Sequence, residues 1–115
     1  MRAVNVTREA VLATDLRSAR RFHQRLRGLL GRDRLPAGEG LWIEPCGSVH
    51  TWFMRFPLDV LFIDRSGEVV AVHPGLRPFS ATRIHRRARA ALELPAGTLA
   101  ATGTLPGDRV VLRDA

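Results

Sequence analysis

The segment that most restricts the fold is Leu58-Asp59-Val60-Leu61-Phe62-Ile63-Asp64, followed by Arg65-Ser66-Gly67 and then Glu68-Val69-Val70-Ala71-Val72. Two strand-length apolar runs joined by a tight, glycine-containing turn fold back on each other as a β-hairpin. Both arms are almost wholly apolar, which predicts strands covered on two faces. A connection this short leaves no room for a crossover helix, so a doubly wound βαβ arrangement is disfavoured.

Elsewhere the chain reads as further short strands around one helix. Ala3-Val4-Asn5-Val6 and Ala10-Val11-Leu12-Ala13 suit a hairpin or bent strand. Leu16, Ala19, Phe22, Leu26, Leu29 and Leu30 recur at helical spacing after a cap at Thr14 or Asp15. This pattern predicts an amphipathic helix near the N-terminus that Gly28 and Gly31 end, with Arg17, Arg20, Arg21, Arg25 and Arg27 on its outer face. Leu41-Trp42-Ile43-Glu44 reads as a strand, and Ser48 to Phe56 shows no clean period. Pro74 to Phe79, with two prolines and a glycine, reads as a loop. Ala90-Ala91-Leu92-Glu93-Leu94 is a further strand, Thr98 caps a short helical turn, and Arg109 to Leu112 closes the chain as a strand. The expected fold class is α+β: a single domain over residues 1–115, built on a compact, largely antiparallel sheet curled toward a barrel, with the amphipathic helix near the N-terminus and the short helical turn near the C-terminus.

Composition bounds the function. A chain of 115 residues, 45% of them hydrophobic, can bury one modest core. Its apolar runs fall far short of the roughly 20 residues that span a bilayer, so no membrane span is expected. Charges in the first nine residues interrupt any apolar stretch of the kind a secretory signal needs, and the single Cys46 forms no internal disulfide. The expected location is cytoplasmic. All 18 basic residues are Arg, and the net charge is +7, which suits an anionic partner but also follows from a GC-rich genome.

The densest set of chemistry-bearing side chains lies between Cys46 and Asp59. It holds a thiol, hydroxyls, an imidazole, a guanidinium and a carboxylate. In and around it the chain resembles an uncharacterised bacterial and archaeal family, domain of unknown function 192. The resemblance rests on Arg27-Gly28-Leu29-Leu30-Gly31-Arg32, on Ser48 to Asp64, on Leu92-Glu93-Leu94-Pro95-Ala96-Gly97 and on Gly107-Asp108-Arg109-Val110, in that order along nearly the whole chain. It implies a compact, mostly β domain with few helices and brings no substrate, cofactor or catalytic residue with it.

On residue chemistry, the candidate binding residues are Ser48, His50, Thr51, Met54, Arg55 and Asp59, in a segment presented to a small ligand or protein partner. A hydrolase or transferase is the alternative, with His50 as base, Asp59 as its orienting carboxylate and Ser48 or Cys46 as nucleophile. A third reading is an Arg-rich nucleic-acid or anion binder using Arg17, Arg20, Arg21 and Arg25, joined by the basic run from Arg83 to Arg89. For each, a plainer role competes: Asp59 can pair with Arg55 or cap backbone N–H groups, His50 can make a structural hydrogen bond, and Trp52, Phe53, Met54 and Phe56 can be core. His50, His73, His85, Cys46 and Asp59 show no ligand spacing, so neither a metal site nor a cofactor is expected.

Overall fold

Short apolar runs punctuated by glycine and proline become strands joined by tight turns. A computed structural model describes residues 1–19, 33–52 and 54–114. Among them, eight strands and one helix follow in the order β1 (Arg2–Asn5), β2 (Ala10–Ala13), β3 (Asp15–Ala19), β4 (Glu39–Ile43), β5 (Leu58–Ile63), β6 (Val69–Leu76), β7 (Ala90–Pro95), α1 (Thr98–Thr102) and β8 (Val110–Arg113). They form a three-stranded sheet ordered β2-β1-β8 and a five-stranded sheet ordered β3-β4-β7-β5-β6.

Two corrections to the sequence reading follow. The sheets are open and separate, so the body is not a barrel curled from one sheet. They meet at a corner, where an isolated bridge joins Glu68 to Arg109 and Val110 N–H donates to Gly67 O. The expected N-terminal helix is also absent at its start. Asp15–Ala19 is a strand, paired in parallel with β4 from Asp15↔Glu39 to Ala19↔Ile43. Leu16 is buried while Asp15 and Arg17 are exposed, the two-residue alternation of an edge strand. A ladder to β4 satisfies this backbone, and Leu16 serves either period equally well in so short a window. Phe22, Leu26, Leu29 and Leu30, with Arg20, Arg21, Arg25 and Arg27, lie outside the described residues.

The hairpin reading holds for β5 and β6, which pair antiparallel. β5 is buried along its whole length because β7 flanks its other edge in register from Leu58↔Pro95 to Ile63↔Ala90. β6 is the outer strand and only Val69 of it is buried, so the expectation of two-sided cover holds for one arm alone. Its edge position also explains why Pro74 and Gly75 lie inside a strand instead of a loop: an edge residue needs no ladder N–H on its open side.

Alternation along β5 sends side chains into two cores. Val60, Phe62 and Leu58 join Leu41, Ile43, Val49, Met54 and Phe56 on one face. Leu61 and Ile63 meet Ala3, Leu12, Leu16, Leu92, Leu94, Leu99 and Val110 on the other, between the two sheets.

The β5–β6 turn is fixed by Asp64, whose Oδ1 accepts from Ser66 N–H, Ser66 Oγ and Glu68 N–H at 2.8–3.0 Å. The Ser66 hydroxyl, helped by those N–H groups, holds the Asp64 carboxyl below its ordinary range. Gly67 completes the turn at φ +92°, and a Cβ there would stand 2.7 Å from Val110 O. Gly67→Ala should therefore cost about 2 kcal/mol through backbone strain and displacement of β8. Urea unfolding checks it, and an unchanged midpoint contradicts the contact.

Candidate functional site

The segment without periodicity, from Cys46 to Phe56, is held by a second irregular stretch, Arg77 to Arg89, that runs antiparallel beside it. Backbone bonds link Phe79 N–H to Thr51 O, Thr51 N–H to Ser80 O, Thr82 N–H to Val49 O, His85 N–H to Gly47 O and Cys46 N–H to Arg89 O. His50 and Ala81 form an isolated bridge in the same ribbon. Thr51, wholly buried, fastens it: its hydroxyl donates toward Arg77 O and Ser80 O and accepts from Ser80 N–H at 2.9 Å.

The six candidate binding residues separate by environment. Thr51 serves as this clamp. Met54 is buried in the first core. Asp59, 1% exposed on β5, accepts from Gly75 N–H at 2.8 Å through Oδ1, and from Gly97 N–H at 3.1 Å and Leu99 N–H at 2.7 Å through Oδ2. It thus ties the bend of β6 to the first turn of α1, and accepts there the N–H groups that Thr98 was expected to cap. Thr98 instead donates its hydroxyl to Pro95 O at 2.7 Å, and Gly97 stands at the cap.

Ser48, His50 and Arg55 remain at the surface. Ser48 is exposed, and its carbonyl accepts from Cys46 Sγ at 3.0 Å. His50 is half-buried with its ring centroid 5.2 Å from that of Trp52. Arg55 is exposed and 3.6 Å from Asp33, itself on the surface. None of the three hydrogen bonds to the Asp59 carboxylate comes from an imidazole, so it is not placed as the orienting partner of His50. Of the expected anion-binding arginines, Arg17 is exposed on β3 and 3.8 Å from Glu39, and Arg20, Arg21 and Arg25 lie outside the described residues.

Sequence spacing missed a histidine pair. His73 on β6 and His85 in the second stretch bring their Nε2 atoms to 2.8 Å, and Phe62 packs its ring against both at centroid distances of 5.7 and 4.5 Å. Burial, reinforced by the Arg83 charge, lowers the proton affinity of His73. His85 is lowered by burial first and then by His73 and Arg83. Beside His85 opens a cleft of about 320 Å³ lined by Val70, Arg83, Ile84, His85, Arg86 and Arg87. The signal in the sequence was the placement of His73 directly before Pro74 and of His85 inside the basic run from Arg83 to Arg89. Glu93, also passed over, is fully buried on β7 between Leu41 of β4 and Val60 of β5. No group of three or more His, Cys, Asp and Glu able to hold a metal occurs among the described residues.

Three large apolar side chains of the two paired stretches are exposed, Trp52 (54%), Phe79 (75%) and Ile84 (72%). In the second stretch Arg77, Arg83, Arg86 and Arg89 are exposed with no ion pair among the described residues, whereas Arg87 reaches Glu68 at 3.4 Å and Asp64 at 3.7 Å. The two stretches therefore combine exposed apolar side chains with uncompensated positive charge.

With this geometry in hand, comparison with known proteins defines the class. The chain belongs to DUF192 (uncharacterized ACR, COG1430), whose profile matches residues 3–112. Its fold is shared by a protein of unknown function from Novosphingobium aromaticivorans, 21% identical, with a TM-score of 0.80 over 96% of this chain and 82% of that one. It is shared too by a Sinorhizobium meliloti protein described as "a putative transcription regulator", 25% identical, with a TM-score of 0.77 over 96% of this chain and 89% of that one. No curated protein matches the chain in sequence. The family is one of unknown function. No helix among the described residues is long and apolar enough to cross a membrane.

Proposed function

We propose that this protein is a small cytoplasmic binding module that presents the segment His50 to Asp59, together with the ribbon beside it, to an acidic segment of a protein partner. The observation that carries this reading is the exposure of Trp52 and Phe79 on a backbone clamped by Thr51. Large aromatic side chains on a rigid ribbon are the anchors of protein interfaces, because they bury much area with little loss of conformational freedom. The uncompensated charges of Arg77 and Arg83 beside them favour carboxylates on the partner. Thr51 and Met54 hold the ribbon from beneath, Asp59 ties β6 to α1 beside it, and Arg55 stands where a partner can reach it.

A second reading has one specific support. Exposed aromatics interleaved with arginines also suit the stacked bases and phosphates of a single-stranded nucleic acid, and the Sinorhizobium neighbour is described as a transcription regulator. One titration separates the two. A fluorescently labelled acidic peptide pool containing aromatic residues and a labelled oligonucleotide of about 15 nucleotides are titrated with the protein at about 50 mM salt, where phosphate contacts are strong. The proposal expects the peptides to bind and Trp52→Ala to weaken them at least ten-fold, since a central aromatic anchor is worth about 2 kcal/mol or more. Oligonucleotide binding alone, lost with Arg77→Gln and Arg83→Gln, replaces it with the second reading. Peptide binding that Trp52→Ala leaves unchanged rejects this face.

A further inference from the structure

The His73–His85 pair and the cleft next to it go beyond partner docking. Two neutral imidazoles with Nε2 atoms 2.8 Å apart share one hydrogen bond, one ring donating N–H and the other accepting on its lone pair. Such a pair has room for one additional proton. It enters at Nδ1 of the donating ring, makes that ring an imidazolium, and turns the contact into a charge-assisted hydrogen bond. A second proton would set two N–H groups against each other, so the pair titrates as a unit that gains a single charge.

Its surroundings oppose that charge. Arg83 acts on both rings, and Arg86 and Arg87 line the same cleft. From β5 the pair receives Phe62, which brings no charge. From the hairpin, Asp64 and Glu68 are directed to Arg87, and so offset that guanidinium and leave Arg83 and Arg86 uncompensated. A cleft lined by two unpaired guanidinium groups and by His85, whose ring shares its hydrogen bond with His73 behind it, lacks only negative charge.

We propose that the cleft beside His85 binds a small oxyanion of the phosphate or sulfate class, held by Arg83 and Arg86 and by one proton that the His73–His85 pair takes from solvent on binding. Guanidinium N–H groups fork onto such oxygens, and the added imidazolium charge supplies what the arginines alone repel in the free protein. At about 320 Å³ the cleft also admits the group to which the oxyanion is esterified. Without an anion, the sign of the proton linkage is opposite. The pair binds protons less readily folded than unfolded, so stability declines as pH falls below the ordinary histidine value of 6.5.

Inorganic sulfate is the first probe because its charge is constant across the range, and NMR of the histidine and arginine side chains reads its binding. At pH 5.5 sulfate should saturate with shifts confined to His73, His85, Arg83 and Arg86, and its affinity should fall at least ten-fold by pH 8.0. Arg83→Gln with Arg86→Gln, both surface changes that leave the core intact, should weaken it at least ten-fold at pH 5.5, and His73→Asn together with His85→Asn should remove the pH dependence. Sulfate should also raise the melting temperature more at pH 5.5 than at pH 8.0. Inorganic phosphate against a simple alkyl phosphomonoester, each at pH 5.5, then distinguishes a free ion from an esterified one by which binds more tightly. Non-saturating shifts, equal affinity at both pH values, or shifts spread over Arg17 and Arg55 overturn the proposal. Since Trp52 takes no part in the cleft, Trp52→Ala leaves sulfate binding unchanged, and the two readings fail separately.

Discussion

Asp59→Ala should destabilise the protein by about 4 kcal/mol, a large share of the 5–15 kcal/mol typical of a domain this size. The carboxylate is buried in the sheet and accepts three backbone N–H groups from two distant places, Gly75 on β6 and Gly97 and Leu99 at α1. Hydrogen bonds to a charged acceptor are each worth about 1.5–3 kcal/mol, and alanine removes all three, leaving the buried Leu99 N–H without a partner. Asp59→Asn should fall between the two, because its single carbonyl oxygen can serve one side while its NH2 faces a donor on the other. Chemical denaturation of the three proteins measures the series. A loss below about 1 kcal/mol for Asp59→Ala would mean that the carboxylate is not a structural tie and would restore it as a group available for chemistry.

The second large effect is at Asp108 and depends on pH. Its Oδ2 accepts from Arg8 Nε at 2.9 Å and from Asn5 Nδ2 and Leu105 N–H at 3.0 Å. Asn5 also donates to Thr104 Oγ1 at 3.0 Å, so one buried polar cluster joins the β1–β2 turn to the connection between α1 and β8. The bond from Arg8, with those from Asn5 and Leu105, pulls the Asp108 carboxyl down to about 2. A carboxyl depressed on folding contributes stability that is complete above its unfolded value of 3.8 and is lost as pH falls through about 2. Between pH 5 and pH 2 the native protein should therefore lose about 2 kcal/mol that Asp108→Asn does not lose. At neutral pH Asp108→Ala should cost about 3 kcal/mol, since Asn5 and Leu105 are left with unmet donors. Parallel acid titrations followed by circular dichroism check both statements, and identical acid midpoints for native and Asn proteins contradict the first.

These two carboxylates show how a plain role and a chemical one were separated. Asp59 stood in the sequence as a possible partner of His50 and equally as a cap for backbone N–H groups. The cap is what the fold displays, but its donors come from Gly75 and Leu99, neither near it in the chain. Asp108 stood only in the block Gly107-Asp108-Arg109-Val110 that carries the resemblance, because its partners Asn5 and Arg8 lie at the opposite end of the sequence. The ribbon between Cys46 and Arg89 was unreadable for a related reason: its bonds alternate with neither helical nor strand period, so no local pattern announces it.

What the sequence by itself determined is the set of elements whose pattern is local. The hairpin of β5 and β6 follows from two apolar runs and the Asp64 to Gly67 turn, the pairing of β1 with β2 from two patches one turn apart, and β4, β7 and β8 from apolar runs cut by proline and glycine. Family membership also lay in the order of four short blocks. Only the tertiary structure decided what depends on neighbours distant in the chain. It made Asp15–Ala19 a strand by offering the open edge of β4, packed two open sheets across a shared core in place of a closed barrel, and drew Pro74 into β6 because that strand has a free side. It also set His73 against His85 and left Trp52, Phe79 and Ile84 exposed beside arginines of the same two stretches. Side-chain period reports which way a residue points, whereas what it meets there is set by the closure of loops between remote parts of the chain.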